Sequence, residues 1–298
     1  MSSQRPVPQP PGPGPTGARR ATIPAQRHRG HRLDPPQTRQ SAGRWRRYVA
    51  IGDSSTEGMG DHDDTGGYRG WADRLAEHLA VHQGGIEYAN LAIRGRTTRQ
   101  ILEQQVPMAI SLQPDLVTVV AGMNDILHSS FDPAATASLV CDMMLELAAG
   151  GAEVLTFTLP DPTPNLWFSR WFQPRVIAFN SELRQAAARA GAIMVDVGAF
   201  TEASDPRLWS EDRLHGNSDG HARVAHALAH GLGLPGFDGS WRIPLPPVPP
   251  DPIVATVKAD LVWVQQHALP WLWRTVRGRS LGDGLSPKRP TPDLIRPT

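Results

Sequence analysis

Residues 48–58, Tyr-Val-Ala-Ile-Gly-Asp-Ser-Ser-Thr-Glu-Gly, run from an apolar segment straight into a polar turn bounded by glycines. That order reads as a buried strand delivering a loop that opens a helix. Two adjacent serines, Ser54 and Ser55, stand in the turn. One of them is a candidate nucleophile, and both are equally readable as polar loop residues. A nucleophilic serine needs partners, and those must come from elsewhere in the chain.

Outward from this stretch, short apolar runs alternate with longer helical patterns. The strand candidates are residues 48–52, 86–93, 116–122, 153–159 and 192–197, β-branched-rich and mostly apolar on both faces, as strands of a covered parallel sheet are. Helical patterns fall near 69–82, 96–112, 133–149, 174–190 and 218–231. Asp132-Pro133 is a start signal, an N-cap followed by proline at the first helical position, and Ser218-Asp219 serves similarly for the last helix. The alternation predicts an α/β domain over residues 45–235: a doubly wound, flavodoxin-like, five-stranded parallel sheet in three α/β/α layers.

Composition divides the rest. Residues 1–47 hold ten arginines and one aspartate, a net of +9, while the remainder carries −8. Residues 1–44 are also rich in Pro, Gly and Gln and poor in apolar side chains, so a disordered tail is expected. An arginine-rich tail can bind nucleic acid or an anionic membrane. The chain uses 28 Arg against 2 Lys throughout, however, so a solvated extension is the reading adopted and no specific nucleic-acid partner is predicted. The tail lacks the apolar core of a secretory signal. No apolar run of membrane-spanning length exists, and Cys141 is the only cysteine, so a cytoplasmic location without disulfides is expected. Residues 236–252 read as a proline-rich linker and 253–278 as an amphipathic helix ended or kinked by Pro270. Residues 279–298 read as a flexible tail. The helix places Trp271 and Trp273 beside Arg274, Arg277 and Arg279, a composition suited to weak membrane-surface contact, to capping a cleft, or to packing on its own domain.

In an open parallel sheet, ligands bind outside the carboxyl ends of the strands. The first strand ends at Ser54 and Ser55, the second at Arg94-Gly95-Arg96, and the third at Gly122-Met123-Asn124-Asp125; Asp212-Arg213-Leu214-His215 precedes the final helix of the sheet domain. A hydroxyl, a close-approach glycine, a carboxamide and an Asp/His pair on one rim are the parts required for acyl transfer.

These four blocks, in this order, resemble those of the SGNH hydrolases, the GDSL-type esterases and lipases, over about residues 47–232. Gly52-Asp53-Ser54 looks like the first block, Asn90 to Gly95 the second, Gly122-Met123-Asn124-Asp125 the third and Asp212 to His215 the last. The resemblance implies Ser54 as nucleophile, His215 as base and Asp212 as its orienting acid. It implies an oxyanion hole from the Ser54 and Gly95 N–H groups and the Asn124 amide, and no cofactor or metal. Ser55 is then a capping or loop-supporting neighbour, and Asp53 an acceptor that orders the loop. The implied reaction is hydrolysis of a carboxylic ester with a small or lipid-like acyl group. Acyl transfer to another alcohol uses the same residues. A non-catalytic interaction protein, acting through the basic tail and the Trp-rich C-terminal helix, is the alternative of a different class.

Three further features carry weaker signals. Trp167, Phe168, Trp171 and Phe172 follow the fourth strand and suit either an acyl pocket or the core. Asp61-His62-Asp63-Asp64 has oxygen ligands but no calcium-loop spacing, so a solvated loop is expected. His226 and His230 share a helix face without an accompanying HExxH motif, so surface histidines are expected rather than zinc ligands.

Overall fold

The computed structural model describes residues 45–161, 172–249, 253–268 and 281–297. All of them belong to one compact unit, Ala42–Thr298. The expected disordered tail, residues 1–44, lies outside the described residues, as do Pro270, Trp271, Trp273, Arg274, Arg277 and Arg279.

Five strands run parallel: β1 (Arg47–Gly52), β2 (Ile86–Asn90), β3 (Leu116–Val120), β4 (Glu153–Phe157) and β5 (Ile193–Val195). Helices connect them: α1 (Ser54–Glu57) and α2 (Gly70–Gln83), α3 (Thr98–Ser111), α4 (Met123–Ile126) and α5 (Pro133–Ala149), then α6 (Gln173–Ala190) and, after β5, α7 (Ser218–Gly231). Every residue of β3 is buried, as is β1 from Tyr48 onward, because helices cover both faces. On one side α2 packs against α7, and on the other α5 packs against α3 and α6. The sheet order is β5-β4-β3-β1-β2-β6. The chain goes from β1 to a neighbour on one side and then crosses to β3 on the other, so a crevice opens at the carboxyl ends of β1 and β3.

The sheet has six strands rather than five. Residues expected to form a flexible tail instead include β6 (Arg289–Ile295), which pairs antiparallel with β2, Ile86 opposite Ile295 and Asn90 opposite Arg289. Pro290 and Pro292 disguise this strand in the sequence. A proline cannot donate to a ladder, but an edge strand needs donors on one side only. Lys288, just before it, anchors the strand by donating to the carbonyls of Tyr68 and Arg69 and to Asp73.

Other expectations shift locally. The second and fifth strands are shorter than predicted, ending at Asn90 and Val195. Asp132 caps α5 as expected, accepting from the N–H groups of Ala134 and Ala135, whereas α7 is capped by Asn217, one residue before the predicted signal. The expected linker is partly core. Residues Gly239–Arg242 form a 3₁₀ turn whose buried Trp241 packs edge-on against Phe200, so apolar burial holds the chain down beyond residue 235. The C-terminal helix α8 (Ile253–Trp263) gives way to a π turn, Val264–Ala268, just before Pro270.

Candidate active site

Gly52 ends β1 with its N–H and C=O both held by the buried Gln105 amide, at 2.8 and 2.9 Å. Asp53 is extended and caps α1, accepting from the Ser55 N–H at 3.1 Å. The expectation that Ser55 caps this turn is therefore corrected: a carboxylate one residue before the helix reaches the second N–H of the turn, and Ser55 only donates its backbone. Ser54 becomes the first helical residue, at the crevice.

Loops from the other strands are tied to this turn. Asn90, fully buried, donates to the Thr56 carbonyl at 2.8 Å and accepts from Ala92 N–H at 3.1 Å. Glu57, also buried, accepts from the Arg94 N–H at 2.8 Å and pairs with the Arg94 guanidinium. This ion pair, invisible to motif reading, connects the serine turn to the loop carrying Gly95.

Gly122, two residues past β3 and just before α4, lies in the left-handed region, φ 111°, and a Cβ there would stand 2.5 Å from Cζ of Phe179. Gly122→Ala is expected to destabilise the fold by roughly 2–5 kcal/mol, combining left-handed strain with overpacking. Urea denaturation measures it, and a loss below about 1 kcal/mol would show that Phe179 moves aside freely. The turn delivers Asn124, whose amide nitrogen donates to Asp53 Oδ2 at 3.1 Å and to the Arg96 carbonyl at 3.0 Å. Asp125 accepts from Thr98 N–H and Oγ1, fixing this loop to the start of α3.

The fourth block completes the site. His215 Nε2 lies 2.7 Å from Ser54 Oγ, and His215 Nδ1 lies 2.6 Å from Asp212 Oδ2. Asp212 Oδ1 accepts from Ser210 Oγ and from the N–H groups of Leu214 and His215, at 2.7, 2.9 and 3.0 Å. Burial pushes the Asp212 carboxyl up, but the hydrogen bond and charge of His215 and these other donors outweigh it and hold it below the usual range. Burial raises the neighbouring carboxyl of Asp53 to about 6. His221, buried beside the site, is held neutral by desolvation, its pKa lowered to about 4. It accepts from Trp71 N–H through Nδ1 and donates from Nε2 to the Met59 carbonyl. A lone histidine in a helix carries no motif, so the sequence gives no signal for it.

All the residues singled out for catalysis therefore meet: Ser54, Gly95, Asn124 and His215 border one cavity of about 320 Å³, with Asp212 behind the histidine. Its inner wall is apolar, including Met123, Val176 and Leu214. Trp167, Phe168 and Trp171 lie outside the described residues, and Phe172, directly after them, lines the cavity. A serine aligned to a histidine that is aligned to a carboxylate can transfer the hydroxyl proton as the serine attacks a carbonyl.

The other features are structural. The expected solvated loop at 61–64 contains a buried residue, because Asp61 forms a two-pronged ion pair with Arg74 and accepts from Gly70 N–H. Asp63 orders the same loop through Thr65 and Gly67. His226 accepts from Asp238 N–H and His230 from the Trp241 indole, both holding the segment after α7. Among the described residues no group of three or more His, Cys, Asp or Glu is arranged to hold a metal. Cys141 is buried, and no described helix is long and apolar enough to cross a membrane.

Solved structures share this architecture. LAE5, an alpha/beta hydrolase from the metagenome of Lake Arreo, Spain, is 22% identical, covering 63% of this chain and 95% of its own at a TM-score of 0.52. Axe2, an acetylxylan esterase from Geobacillus stearothermophilus, is 19% identical, with coverages of 66% and 96% and a TM-score of 0.53. TesA is 22% identical, with coverages of 63% and 98% and a TM-score of 0.53. At these identities the likeness is one of fold. No curated protein matches the sequence. The family model of the GDSL-like lipase/acylhydrolases, however, matches residues 50–223, more than half of the chain. The protein belongs to the GDSL-like lipase/acylhydrolase family and is an esterase.

Proposed function

We propose that the protein hydrolyses carboxylic esters through a Ser54 acyl-enzyme, with His215 as base and Asp212 as its orienting acid. The observation that carries this reading is the unbroken relay from Ser54 Oγ through both His215 nitrogens to Asp212 Oδ2. His215 Nε2 takes the hydroxyl proton as Oγ bonds to the ester carbonyl carbon. The carbonyl oxygen becomes an oxyanion, received by the N–H groups of Ser54 and Gly95 and by the Asn124 amide, which gives a hydrogen to it in exchange for one of its present acceptors. The C–O bond to the alcohol breaks, and the alcohol leaves with the proton from His215. Water, deprotonated by His215, then attacks the acyl carbon and releases the acid and Ser54.

The apolar inner wall favours a small or lipid-like acyl group. A soluble short-chain ester is the first substrate to try. Leu261 and Val262 face outward on α8 and form the surface through which a lipid aggregate would be met.

Mapping by mass spectrometry after exposure to a fluorophosphonate tests the assignment. The adduct is expected on Ser54 and is expected to vanish in His215→Ala. An adduct on Ser55, or none on folded protein, would remove the proposal.

A further inference from the structure

The family match ends at residue 223, yet two stretches beyond it reach the site. The first is α8 with its π turn. Arg213, inside the block that carries Asp212 and His215, has φ 60°, a left-handed conformation that a residue with a side chain adopts only under constraint. Its guanidinium pairs with Asp260 Oδ1 of α8 at 2.6 Å and lies over the ring of Trp263, 5.5 Å from its centre. Trp263 is buried, and its indole N–H donates to the Asp212 carbonyl at 2.9 Å. Trp263 and His267 also line the cavity.

The second stretch is the turn at 281–284. Gly282 packs so tightly on the loop before Gly95 that a Cβ would stand 2.1 Å from the Arg94 carbonyl oxygen. Arg96 donates to the Gly282 carbonyl at 3.4 Å and lies 3.7 Å from the Asp283 carboxylate, and Leu281 lines the cavity. The C-terminal extension thus bears on the Asp–His loop at one point and on the Gly95 loop at another.

We propose that this extension is a working part of the active site, with Asp260 and Trp263 as positioning residues that hold the 212–215 loop in its left-handed turn and so keep His215 within reach of Ser54. The inference rests on the hydrolytic reading above. The peptide between Asp212 and Arg213 is gripped three ways: its N–H donates to the Ser210 carbonyl at 2.9 Å, the Trp263 indole holds its carbonyl, and the Asp260 carboxylate and Trp263 ring hold the side chain that follows. With the two holds from α8 removed, the Ser210 bond alone opposes the relaxation of Arg213 to negative φ, which rotates that peptide and carries Asp212 and His215 with it. A displacement of about 1 Å at a base is enough for a large loss of rate.

The test compares full-length wild type with Asp260→Asn, Trp263→Phe, Arg213→Ala and Arg213→Gly, using p-nitrophenyl acetate kinetics, the rate of fluorophosphonate labelling at Ser54, and circular dichroism to establish folding. Asp260→Asn and Trp263→Phe are expected to lower kcat and the labelling rate by roughly 5–30-fold, the range that matches left-handed strain left without support. KM should stay within about twofold in Asp260→Asn, because Asp260 does not line the cavity that receives the ester. Arg213→Ala and Arg213→Gly lose the same contacts, but only glycine accepts positive φ without strain, so Arg213→Gly should be the more active by several-fold. If Trp263→Phe does not fold, Asp260→Asn and the Arg213 pair decide. Wild-type rates in Asp260→Asn, or equal activity in the two Arg213 variants, would overturn the positioning role while leaving the hydrolase intact. A wild type inert toward both ester and probe would overturn the hydrolytic reading itself, and this inference with it.

Discussion

Asp212→Asn should lower kcat on a soluble ester by roughly 10⁴-fold, with KM close to wild type and the fold retained. The size follows from which way the new amide must face. Asp212 Oδ1 accepts from Ser210 Oγ and from two backbone N–H groups, so the asparagine must keep its oxygen there. Its NH₂ then occupies the place of Oδ2, 2.6 Å from His215 Nδ1. Two donors cannot share that line, so Nδ1 must become the acceptor and the ring proton moves to Nε2. That nitrogen then faces Ser54 Oγ with a hydrogen and has no lone pair for the hydroxyl proton. The shape of the site is retained and its base is lost, which separates this variant from one that unfolds. Steady-state kinetics beside a thermal melt measures both. A kcat within roughly tenfold of wild type would mean that another group sets the histidine tautomer.

Three of the site residues that the sequence disclosed sit at strand ends, while Asp212 and His215 stand in the loop before α7. Ser54, Gly95 and Asn124 follow β1, β2 and β3 by a few residues, and an alternating β/α order with a switch between β1 and β3 brings those ends together without any knowledge of side-chain contacts. Two helices were legible for a related reason: the bounds of α5 and α7 coincide with their apolar periodicity, because each buries one face. What stayed hidden depends on partners far away in the chain. Glu57 carries no signal until Arg94 is placed against it, and Arg213 carries none until Asp260 and Trp263 arrive from 47 and 50 residues downstream. The strand β6 was hidden because its prolines argue against any ladder, and only the position on the sheet edge makes them permissible. Local pattern thus located the groups proposed to react, and pairings across the fold hold them still.

Asp53→Asn should change stability and activity in opposite directions. Burial raises the Asp53 carboxyl from its ordinary 3.8 to about 6, even though Ser55 N–H and the Asn124 amide donate to it and His215 lies near. The folded protein therefore holds this proton more tightly than the unfolded chain does. The stabilisation from that proton is fully present below pH 3.8 and is lost as pH rises through about 6, where the fold must carry a buried carboxylate. An asparagine never titrates. On going from pH 4 to pH 8, the stability of the variant relative to wild type should improve by about 2–3 kcal/mol, the worth of a shift of some two units. Comparing the two pH values cancels any constant cost of the new side chain, and urea titrations at each pH supply the numbers. A difference that does not change with pH would show that Asp53 is not the titrating group. Activity should move the other way. The Ser55 N–H holds the asparagine oxygen at the Oδ1 position, so its NH₂ is aimed at the Asn124 nitrogen, which is itself a donor. Asn124 cannot escape by flipping its amide, because its oxygen would then meet the Arg96 carbonyl. The amide is driven out of place, and kcat should fall by roughly 10²–10³-fold, the loss typical of one oxyanion donor. A carboxylate that costs stability at neutral pH is retained here because it aims the carboxamide, and that trade is what the paired measurement reads.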